Sequence, residues 1–531
     1  MSDSATQTGN KDSRFGDWLP SPEEVCKWLR ILIKQAESDP KELDPVIKDF
    51  QSLVQDDPAL KVLAKKMFEE IPRVEGDATY DVKDFDQTLK VFNEILTSPP
   101  YVRATEAGLS AITVPFNAVL NWPANTTSGY VFFLNKHVNE KLKKIIDRWG
   151  DFLKYDPKST KYINHEKDND KNWFSTNYQN IMKDYAQWPR SSPIEQLYKC
   201  DPSSPTWGFP SWDKFFTREF CTGVRDVSHE DQDPDVIVNA CEAGKQGVVQ
   251  RVKDRDTFWL KSQPYSIIDM MDSDSYSSRF FNGTVYQGWL SSACYHRWHS
   301  PIAGTVKKIV HIPGTYYSNV RSNLFPNPDP SGPNLSQFYL ASVATRALIF
   351  IEADNPAIGL VCFIAIGMNE ISSCEITVYK TQQVQKGQQL GMFHLGGSAY
   401  CLCKSNWTGS ALTVGGGYVW QEVYAKAAEH SVIAVGGSDK SVGTIGGYLQ
   451  GGGHGLTSNE FGLGTDQVLE YKVVLASGET VIANECQHTD LFMALRGGGG
   501  GTYGVVVSAT IKTWLLDIFA ELATAIRLHC F

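Results

Sequence analysis

Apolar positions recur at helical spacing through the first part of the chain and at strand-like spacing further on. Behind Ser21-Pro22-Glu23-Glu24, which has the form of a capping box with proline in the first turn, Val25, Leu29, Leu32 and Ile33 trace one face of a helix. Asp57-Pro58 opens a second stripe carrying Leu60, Leu63, Met67 and Phe68. Phe85, Leu89, Phe92 and Leu96 mark a third, stopped by Pro99-Pro100. These stripes predict a helical region to about Phe152 whose apolar faces form core. From Asp156 to about Asp213 the chain is polar, with isolated Trp residues among Asn, Ser and Pro, and reads as long surface connections or an embellishing lobe. Past Trp212, short β-branched and aromatic runs predict a β-rich domain: Val236 to Val238, Thr305 to Ile312, Ala347 to Ile351, Gly359 to Ile366 and Glu375 to Tyr379.

From about Asn406 the chain is dense in glycine, yet the pattern between the clusters alternates. Val419 to His430 is helical, Val432 to Val435 extended, and Val468 to Leu475 a strand closed by the turn Ala476-Ser477-Gly478. The glycines therefore mark turns or close backbone approach rather than low complexity.

Composition narrows the function. A length of 531 residues allows about three domains. With 42% hydrophobic and 21% charged residues, the chain can bury a core. Fifty basic against 60 acidic residues, a formal charge of -10, supply no field that would concentrate a polyanion, so nucleic acid is not an expected partner. Eleven cysteines without a CxxC pair or zinc spacing fit reduced thiols, a cytoplasmic setting and no metal. Met1 to Gly16 lacks the pattern of a secretory signal. No run reaches the roughly 20 apolar residues that span a bilayer. Trp514 to Phe531, interrupted by Asp517, Glu521 and Arg527, reads as an amphipathic tail, so membrane association is at most peripheral.

Two elements carry chemistry in the middle domain. Tyr295-His296-Arg297-Trp298-His299-Ser300-Pro301 puts two imidazoles three residues apart; alone, a satisfied structural pair is the ordinary reading. Downstream, Gly391-Met392-Phe393-His394-Leu395-Gly396-Gly397-Ser398 is a strand ending in a Gly-Gly-Ser turn. A bland turn is one reading. The other is an acyl shift, because glycine permits the strained backbone that brings the Ser398 hydroxyl onto the Gly397 carbonyl. The peptide becomes an ester, a base removes the Ser398 α-proton, and β-elimination leaves a dehydroalanine. Its hydrolysis gives an N-terminal pyruvoyl group and ammonia.

With these motifs, residues from about 15 to 403 resemble the phosphatidylserine decarboxylase family. The resemblance also rests on FFTR at Phe215 to Arg218, VNACEAG at Val238 to Gly244 and LKSQPYSIIDMM at Leu260 to Met271. The helical N-terminal region and the GGS ending are similar to its fungal branch, which includes soluble tryptophan decarboxylases. The resemblance implies a chain that cuts itself between Gly397 and Ser398, with Ser398 becoming a pyruvoyl electron sink for decarboxylation of an amino acid or aminophospholipid. It further implies His299 as the base of the self-cleavage triad and His296 as the histidine assisting decarboxylation. Glu242 would be the triad carboxylate, standing where the family usually has Asp. The likeness ends near Cys403, and this implies an open, unpaired sheet edge around Ser398.

The C-terminal glycines resemble the FAD-binding domain of the vanillyl alcohol oxidase and berberine bridge enzyme family over about residues 410 to 513. The segment Asp490 to Arg496, followed by a glycine run and Tyr503-Gly504-Val505-Val506, supports this. The resemblance implies flavin contacts from Gly436, Gly437, Ser441, Gly443, Gly446, Gly447, Gly453, Gly455, Asp466, Gly504 and Val506, with only the latter half of that domain present. A pyruvoyl lyase, a flavin oxidase and an inactive fusion of two truncated pieces thus compete. The expected architecture is multidomain α+β: a tail (1–14), a helical N-terminal domain (15–152), a polar connection (153–212), a β-rich decarboxylase core (213–405), a partial FAD-binding domain (406–513) and an amphipathic end (514–531).

Overall fold

The computed structural model describes residues 18–515, apart from 73–78, 106–107, 167–170, 229, 251, 253–264, 282, 319–336, 371–372, 395–398, 405–410 and 431. The three predicted stripes form helices, α1 Pro22–Ser38, α3 Pro58–Glu69 and α4 Phe85–Ile95, and a further helix not read from the sequence, α2 Pro45–Asp56, joins them. Aspartates start three of them, since the side chains of Asp44, Asp57 and Asp84 accept first-turn amide protons. Ser21 makes no such bond, so the expected capping box is not formed and Pro22, with its preset φ, opens α1. A hairpin the sequence reading did not foresee, β1 Tyr101–Thr105 and β2 Gly108–Ile112, precedes α5 Pro115–Ala124, α6 Thr127–Leu134 and α7 Lys136–Tyr155.

The polar stretch after α7 is not a surface connection. It holds α8 Thr176–Tyr185 and ends at α9 Trp212–Phe216, and Trp173, Tyr178, Trp207 and Trp212 are all buried. The aromatic rings took the buried positions while the polar residues closed backbone turns: the Trp173 indole N–H donates to Pro100 O (3.1 Å) and that of Trp207 to Asn164 O (3.0 Å).

The middle of the chain builds two antiparallel sheets. The larger has seven strands in the order β10-β6-β7-β8-β12-β4-β3, with β3 Gly244–Gln250, β4 Thr284–Trp289, β6 Gly304–Ile312, β7 Arg346–Ala353, β8 Leu360–Ile366, β10 Gln383–Val384 and β12 Ala399–Lys404. The smaller, in the order β5-β11-β9, joins β5 Arg297–His299, β11 Gln389–His394 and β9 Ser373–Ile376. Of the expected strands, Val236 to Val238 joins no ladder, although the Val238 amide donates to Pro301 O. Among the described residues the unpaired edge expected beside Ser398 is not found. β12 lies inside the large sheet, paired along its length with both β8 and β4.

Alternation on the central strands splits the core in two. Leu348, Phe350, Cys362, Ile364, Cys401 and Cys403 face the helical region, whereas Ile349, Ile351, Phe363, Ala365, Tyr400 and Leu402 face the smaller sheet. A separate cluster forms the C-terminal segment, where β13 Ala411–Gly415, β15 Val468–Val474, β16 Thr480–Asn484 and β17 Val505–Leu515 pair in the order β13-β17-β15-β16. The strand β14 Val432–Ala434 adds to β17, and the helix Trp420–Glu429 precedes it.

Candidate active site

The two-histidine motif is laced to the strand that leads into the Gly-Gly-Ser turn. β5 and β11 pair with His299 opposite Gln389 and Arg297 opposite Met392. The Phe393 amide donates to His296 O (3.0 Å). Residues 395–398, which include Gly397 and Ser398, lie outside the described residues, but both flanks are fixed: His394 ends β11 and Ala399 starts β12.

His299 is half-buried between two partners. Its Nδ1 lies 2.8 Å from Gly387 O and its Nε2 3.0 Å from the Tyr295 hydroxyl. A carbonyl only accepts, so Nδ1 carries the proton and Nε2 is the basic nitrogen, receiving the Tyr295 O–H. Burial pushes the imidazole below its ordinary pKa, the Gly387 carbonyl opposes this, and the Arg297 charge adds to it.

His296 is fully buried. It stacks on Phe216 at a centroid distance of 3.9 Å and meets Trp18 edge-on at 5.9 Å. Burial first, and then the Arg218 charge, hold it well below its usual pKa, so it is neutral at neutral pH. Arg218, from FFTR, lies over the Tyr198 ring and donates to the carbonyls of Ala293 (2.7 Å) and Cys294 (2.9 Å). Glu242 accepts the next amide, that of Tyr295, at 2.6 Å. Burial lifts its carboxyl to about 7, against that hydrogen bond and the charges of Arg218 and Arg225. Glu242 therefore reaches His299 through Tyr295 and not by direct contact.

A further cluster went unread in the sequence. His394 is buried with Nδ1 2.7 Å from Asp213 Oδ1 and Nε2 2.7 Å from Glu375 Oε2. Carboxyl oxygens thus stand at both ring nitrogens. The only signal in the sequence was His394 within the Gly391 to Ser398 motif; Asp213 and Glu375 lie far from it along the chain and are joined by the fold alone.

In the C-terminal segment the expected flavin residues divide into two groups. Gly436 is closed by the Trp420 ring, which an added Cβ would meet at 2.3 Å, and Gly455 by Gly436 O at 2.1 Å. Gly437 packs near Tyr448, Gly453 (φ +77°) against the same ring, and Gly504 against Val473 and Val474. Val506 is buried, Asp466 accepts from the Leu463 amide (2.8 Å), and Ser441 bonds Asp439. Gly443, Gly446 and Gly447 have open space where a Cβ would stand. The last two lie in a π-helical turn, Thr444–Leu449, held by the Gln450 side-chain amide on the carbonyls of Ile445 and Gly446.

The phosphatidylserine decarboxylase family matches residues 44–182 and 212–419. Decarboxylase iboD of Amanita muscaria is 40% identical over 306 residues, covering 54% of this chain and 83% of that protein. The chain belongs to the phosphatidylserine decarboxylase family. That makes it a carboxy-lyase by descent, in a family that depends on a pyruvoyl group. Another relative in the family, the L-tryptophan decarboxylase of Psilocybe cyanescens, is 32% identical over 400 residues, covering 72% of this chain and 87% of that protein. Residues 404–484 match an FAD-binding domain. The FAD-linked oxidoreductase apf9 of Gibberella fujikuroi is 51% identical over 111 residues, which are 21% of this decarboxylase-family chain and 19% of the oxidoreductase. The chain thus spans about a fifth of that oxidoreductase. No helix among the described residues is long and apolar enough to cross a membrane.

Proposed function

We propose that this chain is a pyruvoyl-dependent decarboxylase, self-processed between Gly397 and Ser398, acting on an α-amino acid. One observation carries the reading: β5 lays the two-histidine motif along β11, and β11 and β12 fix both ends of the four-residue segment that contains the Gly397-Ser398 bond. Ser398 attacks the Gly397 carbonyl, and His299 Nε2 takes the proton the serine gives up. His296, buried beside Phe216, is the histidine placed to assist decarboxylation. The pyruvoyl group supplies an electron sink for the carbanion. Two fungal relatives bearing the name L-tryptophan decarboxylase favour an aromatic amino acid over an aminophospholipid. Cysteine usage favours a reducing, cytoplasmic compartment, and we place domain limits near residues 152, 212, 405 and 513.

Denaturing electrophoresis tests the reading. The purified chain is expected to run as two fragments divided near residue 397 and to lose activity to hydrazine or borohydride, whereas Ser398→Ala remains whole. A wild type that stays one band after long incubation would sink it. A second reading, flavin binding, is favoured by the open backbone at Gly443, Gly446 and Gly447, which would face a pyrophosphate. Most of the other expected contacts are taken up by packing or hydrogen bonds inside the segment, so the residues present make part of a cradle and no catalytic step is drawn through a flavin. Absorbance near ~450 nm in the purified protein is its test; a chain that shows neither colour nor cleavage is an inactive fusion.

A further inference from the structure

We infer that Tyr295 is the positioning residue of the processing base, that the Gly387 carbonyl sets the tautomer of that base, and that Glu242 acts on it only by holding the Tyr295 backbone. The inference rests on the proposed self-processing at Ser398 and deepens it. In a serine-histidine-carboxylate triad the carboxylate accepts the Nδ1 proton and thereby orients the ring. Here that acceptor position is taken by Gly387 O at 2.8 Å. Glu242 spends its hydrogen bond on the Tyr295 amide at 2.6 Å, and its second oxygen lies 3.9 Å from Arg225.

The Tyr295 segment is gripped from both sides of its backbone. Arg218 donates to two successive carbonyls, Ala293 and Cys294, and Glu242 accepts the following amide. Phe220 stacks on the Tyr295 ring at 4.2 Å, which stacks in turn near His299 at 5.6 Å. A ring fixed at its backbone and on its face delivers its hydroxyl to one place, 3.0 Å from His299 Nε2. Nε2 is thereby held as the acceptor nitrogen at rest, and its one lone pair passes from the Tyr295 hydroxyl to the serine hydroxyl when the serine reacts. Glu242 needs no negative charge for this, because a neutral amide oxygen accepts the same N–H.

The assignment separates two kinds of variant. Glu242→Gln keeps an acceptor for the Tyr295 amide and is expected to slow fragment formation by about tenfold, whereas removing the charge of a true triad carboxylate costs about 10⁴-fold. Tyr295→Phe, which keeps the ring and the stack, is expected to slow processing by about tenfold with unchanged thermal unfolding. A 10³-fold or greater loss in Glu242→Gln, or wild-type processing in Tyr295→Phe, overturns the inference. A second readout is independent of cleavage. In the Ser398→Ala chain labelled with ¹⁵N-histidine, His299, assigned through a His299→Asn spectrum, is expected to be protonated at Nδ1. Adding Tyr295→Phe should then move its Nε2 resonance. A ring protonated at Nε2 overturns the inference even if the wild type never cleaves, and an uncleaved wild type with the expected spectrum would remove self-processing while leaving the Tyr295 and Gly387 contacts assigned.

Discussion

Glu370 is buried and binds the start of α5: its Oε1 accepts from the amides of Phe116 (2.8 Å) and Asn117 (3.3 Å), and its Oε2 accepts from the Tyr317 hydroxyl. Burial raises its carboxyl from 4.5 to about 7 despite these bonds. A carboxyl raised in the fold stabilises it fully below the unfolded pKa, and that contribution disappears as pH rises through the folded one. The window is therefore pH 4.5 to about 7. Glu370→Gln keeps an acceptor for α5 without the charge, so urea unfolding at pH 5 and pH 8 should show a smaller loss of stability than in the wild type, by on the order of 3 kcal/mol. Equal losses in the two proteins would place the pH dependence elsewhere. His394 holds a second buried cluster together. His394→Leu leaves Asp213 buried opposite an apolar group, and unfolding should register about 3 kcal/mol of destabilisation. Glu375→Gln, at the exposed side of the cluster, should cost less than about 1 kcal/mol.

At the scale of elements, β11 is the piece on which the site is hung, and Gly391 is why it fits. A Cβ there would stand 2.2 Å from Glu375 O on β9 and 2.7 Å from the Trp298 ring on β5. Gly391→Ala should destabilise by about 1 to 3 kcal/mol and delay fragment formation, while Gly417→Ala, with open space around its Cβ, should stay within about 0.5 kcal/mol of the wild type. A time course of cleavage beside a denaturant melt reads both. Strands were legible where an apolar run was long and bounded by turns, as at Thr305 to Ile312 and Gly359 to Ile366 of the seven-stranded sheet. The helical stripes were legible for the same reason. What periodicity does not encode is who lies beside whom. The placing of β12 between β8 and β4, and the meeting of Asp213, Glu375 and His394, come from pairings between distant segments. The surface-connection reading of the Asp156 to Asp213 stretch failed because its polar residues outnumber its tryptophans, although the tryptophans decide where it packs.

On the scale of the whole molecule, the buried clusters do not cross from the decarboxylase part into the C-terminal segment. The two that carry the active site end at Cys403, and those of the C-terminal segment begin at Val414. Contact between the parts includes the exposed hydrogen bond of Ser278 to Glu485 (2.9 Å), which adds little stability. The C-terminal segment also leaves large apolar side chains in solvent, with Leu456 88%, Met493 71% and Val505 67% exposed. Parts with separate cores unfold as separate units. Calorimetry of the full chain should therefore show two transitions, and a chain ending at residue 410 should keep one of them, at a temperature within a few degrees. That shortened chain should still divide at Gly397, because every strand paired with β5, β11 and β12 lies before residue 405. It should also bind less of a hydrophobic dye, having lost those exposed apolar side chains. If it aggregates, or stays whole while the full chain cleaves, then the flavin-like segment supports the decarboxylase core through contacts that buried clusters do not reveal, and the two parts form one folding unit.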